Sequence, residues 1–104
     1  MVKALAMYGL IGQFKAHPGK RDALVEVLVA SVANMPGCLS YVVATDPKDP
    51  ELVWITEVWD DERSHKASLA LPAVKDAIAK AMPLIASFGD HIVTTPVGGH
   101  GLGS

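Results

Sequence analysis

The sequence predicts an α+β fold of the ferredoxin-like kind, with a four-stranded antiparallel sheet carrying its helices on one face. Three observations predict it. The hydrophobic periodicities run strand, helix, strand, strand, helix, strand, which is the split βαβ order. The chain has 104 residues and one cysteine, so it is expected to be one domain, residues 1 to 104, whose core needs no disulfide. Half of its residues, 50%, are hydrophobic, more than so small an interior hides, so an extended apolar face is expected to be covered by a second copy.

Each element has its own reason. Residues 3 to 16 read as a strand, because Met7, Tyr8, Leu10, Ile11 and Phe14 place apolar side chains on both of its faces. His17-Pro18-Gly19 breaks the strand and opens a helix over about 20 to 34, in which Leu24, Val27, Leu28 and Val32 recur at helical spacing. Lys20, Arg21, Asp22 and Glu26 lie on its exposed side, and Met35-Pro36-Gly37 ends it. The strands Leu39 to Thr45 and Leu52 to Asp60 form a hairpin across Asp46-Pro47-Lys48-Asp49-Pro50, a loop of turn-forming residues. Asp60 or Asp61 caps a helix running through His65 to about Ala70. Pro72 starts a further helical turn with Val74, Ile78 and Ile85 inward, an Asp76/Lys80 pair outward, and Pro83 bending or ending it. His91 to Val97 form the last strand; the core thus extends over about 3 to 97, and residues 98 to 104 are a glycine-rich tail.

Composition excludes several function classes. Nine Lys and Arg against eleven Asp and Glu give a net charge of -2 with no basic cluster, which argues against a nucleic-acid partner. The apolar content argues against disorder. The nine-residue apolar run from Ala4 to Gly12 follows Lys3 but passes into Gln13-Phe14-Lys15 without a small-residue cleavage site, and it is too short for a bilayer. A soluble, cytoplasmic protein without a membrane partner is therefore expected. Cys38 stands alone, which fits a reducing compartment and leaves no thiolate metal cluster.

No catalytic motif of strong specificity is present, neither a nucleophile elbow nor a phosphate loop nor a paired-histidine metal signature. The glycines at 98, 99, 101 and 103 precede no helix, so they lack the helix N-terminus that would hold a phosphate. His17, His65, His91 and His100 are scattered, and no metal site is expected. His65 is singled out as the candidate catalytic base: it falls early in the second helix, just after Trp59, where a pocket between sheet and helix can open. An imidazole is also the side chain whose ordinary titration lies nearest neutrality. Trp54 and Trp59 are five apart, so in a regular strand one faces the helices and the other the covered face. Glu57 shares the face of Trp59 and belongs either at a pocket rim or in a pair, because a buried, unpaired carboxylate is costly. Tyr41, on the neighbouring strand, either aims its hydroxyl into the same cavity or packs its ring. Asp60, Asp61 and Glu62 are explained by helix capping and the helix dipole.

Together these features resemble the antibiotic biosynthesis monooxygenase family, small dimeric α+β barrels that include cofactor-independent quinol and anthrone oxygenases. The resemblance is carried by Pro18-Gly19-Lys20-Arg21-Asp22, Met35-Pro36-Gly37-Cys38 with Tyr41, the loop from Asp46 to Pro50, Glu57-Val58-Trp59 before an acidic helix start, and Leu71-Pro72-Ala73-Val74. It spans roughly residues 7 to 97, and Thr95 to Leu102 look like a bacterial subgroup of the family. It implies a homodimer with a pocket between sheet and helices in each protomer. There an electron-rich phenol or quinol loses a proton and passes electrons directly to oxygen, with no cofactor. In this reading Trp59, Tyr41 and Glu57 contact the substrate and His65 takes the proton. Trp59 matches a pocket tryptophan of the anthrone oxygenases, whereas Ile55 stands where those enzymes have asparagine. Gly12, Ser68 and Ile78 occupy the positions of the asparagine, tryptophan and histidine of the haem-degrading branch, so the resemblance points away from haem. The alternative is a non-enzymatic dimer that binds a small hydrophobic ligand, or an accessory protein of a larger complex.

Overall fold

The computed structural model of the chain describes residues 6–31 and 34–102. Its sheet has the order β2-β3-β1-β4, with β1 at Tyr8–Ala16, β2 at Cys38–Thr45, β3 at Leu52–Trp59 and β4 at Ile85–Thr94, and every neighbouring pair is antiparallel. Helices α1 (Arg21–Ala30), α2 (Glu62–Ser68) and α3 (Pro72–Ala81) connect them. This is the ferredoxin-like α+β arrangement.

Alternation along the strands sorts the side chains by face. Leu10, Phe14 and Ala16 of β1 join Val53 and Ile55 of β3 on the side facing α1, where Leu24, Leu28 and Ala81 complete the core. Val53, Leu24 and Ala16 have no exposed surface at all. The opposite face presents Ile11, Val42, Trp54, Val58 and Ile92, of which Val42 and Ile92 remain about half exposed in the single chain (53% and 49%).

Local chemistry fixes the joints. The Asp46 carboxylate accepts from the backbone of Lys48 and Asp49 and from Trp54 Nε1, so the β2–β3 loop is tied to its own hairpin. The Arg21 guanidinium donates to the carbonyls of Asp46 and Asp49, holding the start of α1 against that loop. Asp61 rather than Asp60 caps α2, accepting from Ser64 N at 2.8 Å. Gly37 has φ +84°, and a Cβ there would run into Ser64 and Asp60, so only glycine allows the chain to turn this close to α2.

Several boundaries differ from those expected. Helix α1 ends at Ala30 rather than Asn34, and Val32 lies outside the described residues, as do residues 3 to 5 of the expected first strand. Ile85 does not belong to the third helix. Pro83 sits in a 3₁₀ turn, Met82–Leu84, that ends the helix, and Ile85 begins β4. The last strand is therefore Ile85–Thr94 instead of His91–Val97, and residues 95–97 lie beyond it. A strand whose outer residues are mostly exposed, as here, lacks the apolar alternation that would have revealed its first half.

Replacing Leu24 with alanine is expected to lower the unfolding free energy by about 2–5 kcal/mol, because a fully buried leucine loses both its transfer energy and its neighbours' contacts. Urea titration should show an earlier midpoint with an unchanged slope.

Candidate functional site

A cavity of about 340 Å³ opens between the helix-facing side of the sheet and the α2/α3 layer. Its polar groups are few and convergent: Tyr41, Glu57, Trp59 and His65 all line it. The remaining wall is mostly apolar, with Phe14 and Phe88 at the sheet and Leu28, Met35, Ile78 and Met82 around it, and includes Ser31 and Ser68. Phe14 and Phe88 meet edge to face at 5.5 Å between centroids. Few polar groups in an otherwise apolar concavity is the usual constitution of a small-molecule site.

The sheet register explains why the polar groups meet. Odd-numbered residues of β3 face the helices, so Glu57 follows Ile55 and precedes Trp59 on that side. Tyr41 is the direct cross-strand partner of Glu57, and Tyr8 that of Trp59. A register shift between Cys38 and Ser40 adds a residue to β2, which brings Cys38 opposite Trp59 at the end of the strand. Helix α2 then sets His65 over this end of the sheet, its ring 5.4 Å from that of Tyr8 and 5.5 Å from that of Trp59, the latter near edge-on at 70°. Ser68 donates to the His65 carbonyl at 2.6 Å, which holds the short helix in its last turn.

Trp59 is 1% exposed, and its Nε1 donates to Glu57 Oε1 at 2.9 Å. That bond settles the two options for Glu57: the carboxylate is both at the cavity wall and paired. Burial pushes its pKa up, opposed by the Trp59 hydrogen bond and by the His65 and His91 charges. Burial also pushes Tyr41 far above the ordinary phenol range, with the charges of Glu57 and Cys38 adding to it, so its hydroxyl is a donor that keeps its proton. Cys38 is raised for the same reasons, burial first and then Glu57, against a weak hydrogen bond to the Ser40 carbonyl.

All four residues singled out in the sequence thus line one cavity. Trp54 does not: it faces the other side of the sheet and donates to Asp46 at 3.0 Å. Residues that sequence reasoning missed are Tyr8, Phe14, Phe88, Met35 and Met82. Tyr8 and Phe14 share the even-numbered, helix-facing side of β1, a signal that was available, whereas Phe88 was hidden by the misplaced start of the last strand. Among the described residues, no three His, Cys, Asp or Glu side chains are grouped to hold a metal ion, and no helix is long and apolar enough to cross a membrane.

Comparison with known proteins gives a consistent picture. The model of the antibiotic biosynthesis monooxygenase family matches residues 7–80. A provisionally named antibiotic biosynthesis monooxygenase from Chloroflexus aurantiacus J-10-fl is 65% identical, with 93% of this chain and 99% of that one covered and a TM-score of 0.91. A protein of similar provisional name from Caulobacter crescentus CB15 is 25% identical over 90% of this chain and 92% of that one, at a TM-score of 0.76. SnoaB, a cofactor-independent oxygenase from Streptomyces nogalater, shares the fold at a TM-score of 0.73 with 16% identity, covering 91% of this chain and 97% of its own. No curated protein matches the sequence.

Glu57→Gln keeps an oxygen for Trp59 Nε1 and removes the buried charge. Because the folded pKa lies above the ordinary 4.5, protonated Glu57 favours the folded state, and that advantage is lost as pH rises through the folded pKa. The variant's melting temperature is therefore expected to rise relative to wild type as pH is raised from the acidic side of the ordinary carboxylate range to its alkaline side. Thermal melts on the two sides of that range check this.

Proposed function

The chain belongs to the antibiotic biosynthesis monooxygenase family, and on that footing we propose that it oxidises a small aromatic quinol or phenolic polyketide with molecular oxygen and without a cofactor. The observation that carries this reading is the His65 imidazole over a mostly apolar cavity that also holds the Tyr41 hydroxyl and the hydrogen-bonded Glu57–Trp59 pair.

In the proposed reaction an aromatic ring lies in the cavity against Trp59 and Phe14, with a phenolic hydroxyl toward His65. His65 accepts the phenolic proton, and the resulting phenolate is electron-rich enough to pass an electron to oxygen. The two radicals then join through a ring carbon and one oxygen atom to give a peroxide. Loss of water from the peroxide leaves a carbonyl, so one oxygen atom enters the product, the other leaves as water, and the substrate supplies all four electrons. The protein's part is to hold the ring, take one proton and keep bulk water from the peroxide. Tyr41, which keeps its own proton, donates a hydrogen bond to the oxyanion as it forms.

A homodimer belongs to the same proposal. The open face of the sheet carries Ile11, Val42, Trp54, Val58 and Ile92, an apolar surface that a twofold mate presenting the same face would cover. Light scattering at micromolar concentration is expected to give twice the chain's 11.0 kDa, and a clean monomer would overturn the assignment.

Oxygen uptake with a panel of reduced quinones and anthrones tests the reaction. His65→Ala is expected to lower kcat by about 10²–10⁴, the usual contribution of a positioned base, and Trp59→Phe to lower it as well, by loosening both the ring and the Glu57 hydrogen bond. Uptake insensitive to both changes removes these roles. Saturable binding of the same compounds without uptake would instead assign the cavity to carrying a hydrophobic ligand.

A further inference from the structure

Three glycines lie inside the strands, and two of them are forced by their neighbours. A Cβ at Gly9 would strike Thr94 and Pro96, and one at Gly89 would strike the Gln13 side chain. Gly12 is different. A Cβ there reaches only the His91 ring, at 3.9 Å, an ordinary contact, and the backbone is not left-handed. Glycine inside a strand weakens it and is characteristic of places where another group must come close to the backbone. Among the described residues, only the edge of the His91 ring comes within 4 Å of that position.

What lies there is a second compartment of about 300 Å³, lined by Gly12, Leu10, Ile55 and Phe88, with Glu57, His91, Gln13 and Asp90 as its polar residues. It shares Phe14, Glu57 and Phe88 with the cavity that holds His65 and Trp59, so the two adjoin as neighbouring lobes along these side chains. The second lobe is shaped by a β-bulge. Gly12 pairs with His91 and Phe14 with Phe88, so β4 spends three residues where β1 spends two. In a regular strand His91 and Phe88 would face opposite sides; the extra residue turns both toward the helices, one on either side of the gap above Gly12. Gln13 Oε1 accepts from Asp90 N at 3.1 Å and holds the bulge in place. Bulges beside functional sites serve to re-aim a side chain in this way.

We propose that Gly12 is a specificity-determining residue that lets a fused-ring aromatic ligand extend from the Trp59 lobe across bare backbone into the second lobe, where His91 meets the polar substituent at its far end. The inference rests on the reading of the first cavity as a site for an aromatic ligand. Gly12 lines the second lobe, and a larger side chain at position 12 would take up space there and confine the ligand to the first.

Binding in the absence of oxygen tests this separately from catalysis. Quenching of tryptophan fluorescence in the full-length chain is titrated with 1-naphthol as the shorter probe and 1,8-dihydroxyanthraquinone as the longer one. Wild type is expected to bind both. Gly12→Val is expected to weaken the longer probe by about tenfold or more, the scale set by excluding a group from a filled pocket, while leaving naphthol affinity unchanged. Gly12→Ala is expected to weaken the longer probe by about threefold and to melt no lower than wild type, since alanine fits that backbone. The proposal is overturned if wild type binds naphthol alone or neither probe, if both probes weaken equally, or if the longer probe binds either folded variant as it binds wild type. A chain that binds both probes as described yet consumes no oxygen with any quinol or anthrone removes the oxygenase reading and leaves the Gly12 subsite standing.

Discussion

Strand β3 is paired on both edges and shows Val53, Ile55, Glu57 and Trp59 in succession to the helices. That one alternation carries the chain from core to site. Val53 and Ile55 meet Leu24, Leu28 and Ala81 and supply the burial on which the domain depends, while the next two residues on the same face are a carboxylate and an indole joined by a hydrogen bond. The core and the cavity are therefore one surface, and a shift of β3 by a single residue would turn both to the wrong side. The strand's other face, with Trp54 and Val58, is left for whatever covers the sheet.

Placing a carboxylate at the end of that row has electrostatic consequences for everything near it. Glu57 is held in a mostly apolar wall, and its charge adds to the burial that raises Tyr41 and Cys38. The site thus sets the Tyr41 hydroxyl, which keeps its proton, beside a buried carboxylate and the His65 ring. The Trp59 Nε1 hydrogen bond makes the burial of Glu57 tolerable and at the same time fixes the indole plane that forms the cavity wall. Stability and site geometry are coupled through this bond.

Much of this was legible in the sequence because it depends on short-range rules. The two-residue period of β3 puts Glu57 and Trp59 on one face and Trp54 on the other, and the helix-start residues after Trp59 bring His65 close by. The final strand was only half legible. From Ile85 to Thr94 all but the end residues are exposed, so no apolar alternation marks its beginning, and Pro83 reads equally well as a bend within a helix or as its end. The consequence was the omission of Phe88 from the site, since a residue assigned to no element has no face.

By itself the sequence determined the order of elements, the polarity of the faces of the first three strands and the residue types available for chemistry, because these follow from periodicity and turn propensity over a few neighbouring positions. Only the tertiary structure decided which faces meet and how far the cavity runs. The bulges that bring Cys38 opposite Trp59, and His91 and Phe88 to either side of Gly12, are mismatches between two paired strands, in the second case strands at opposite ends of the fold's sequence. A bulge is a property of a pairing, and no single strand's sequence contains its partner's register.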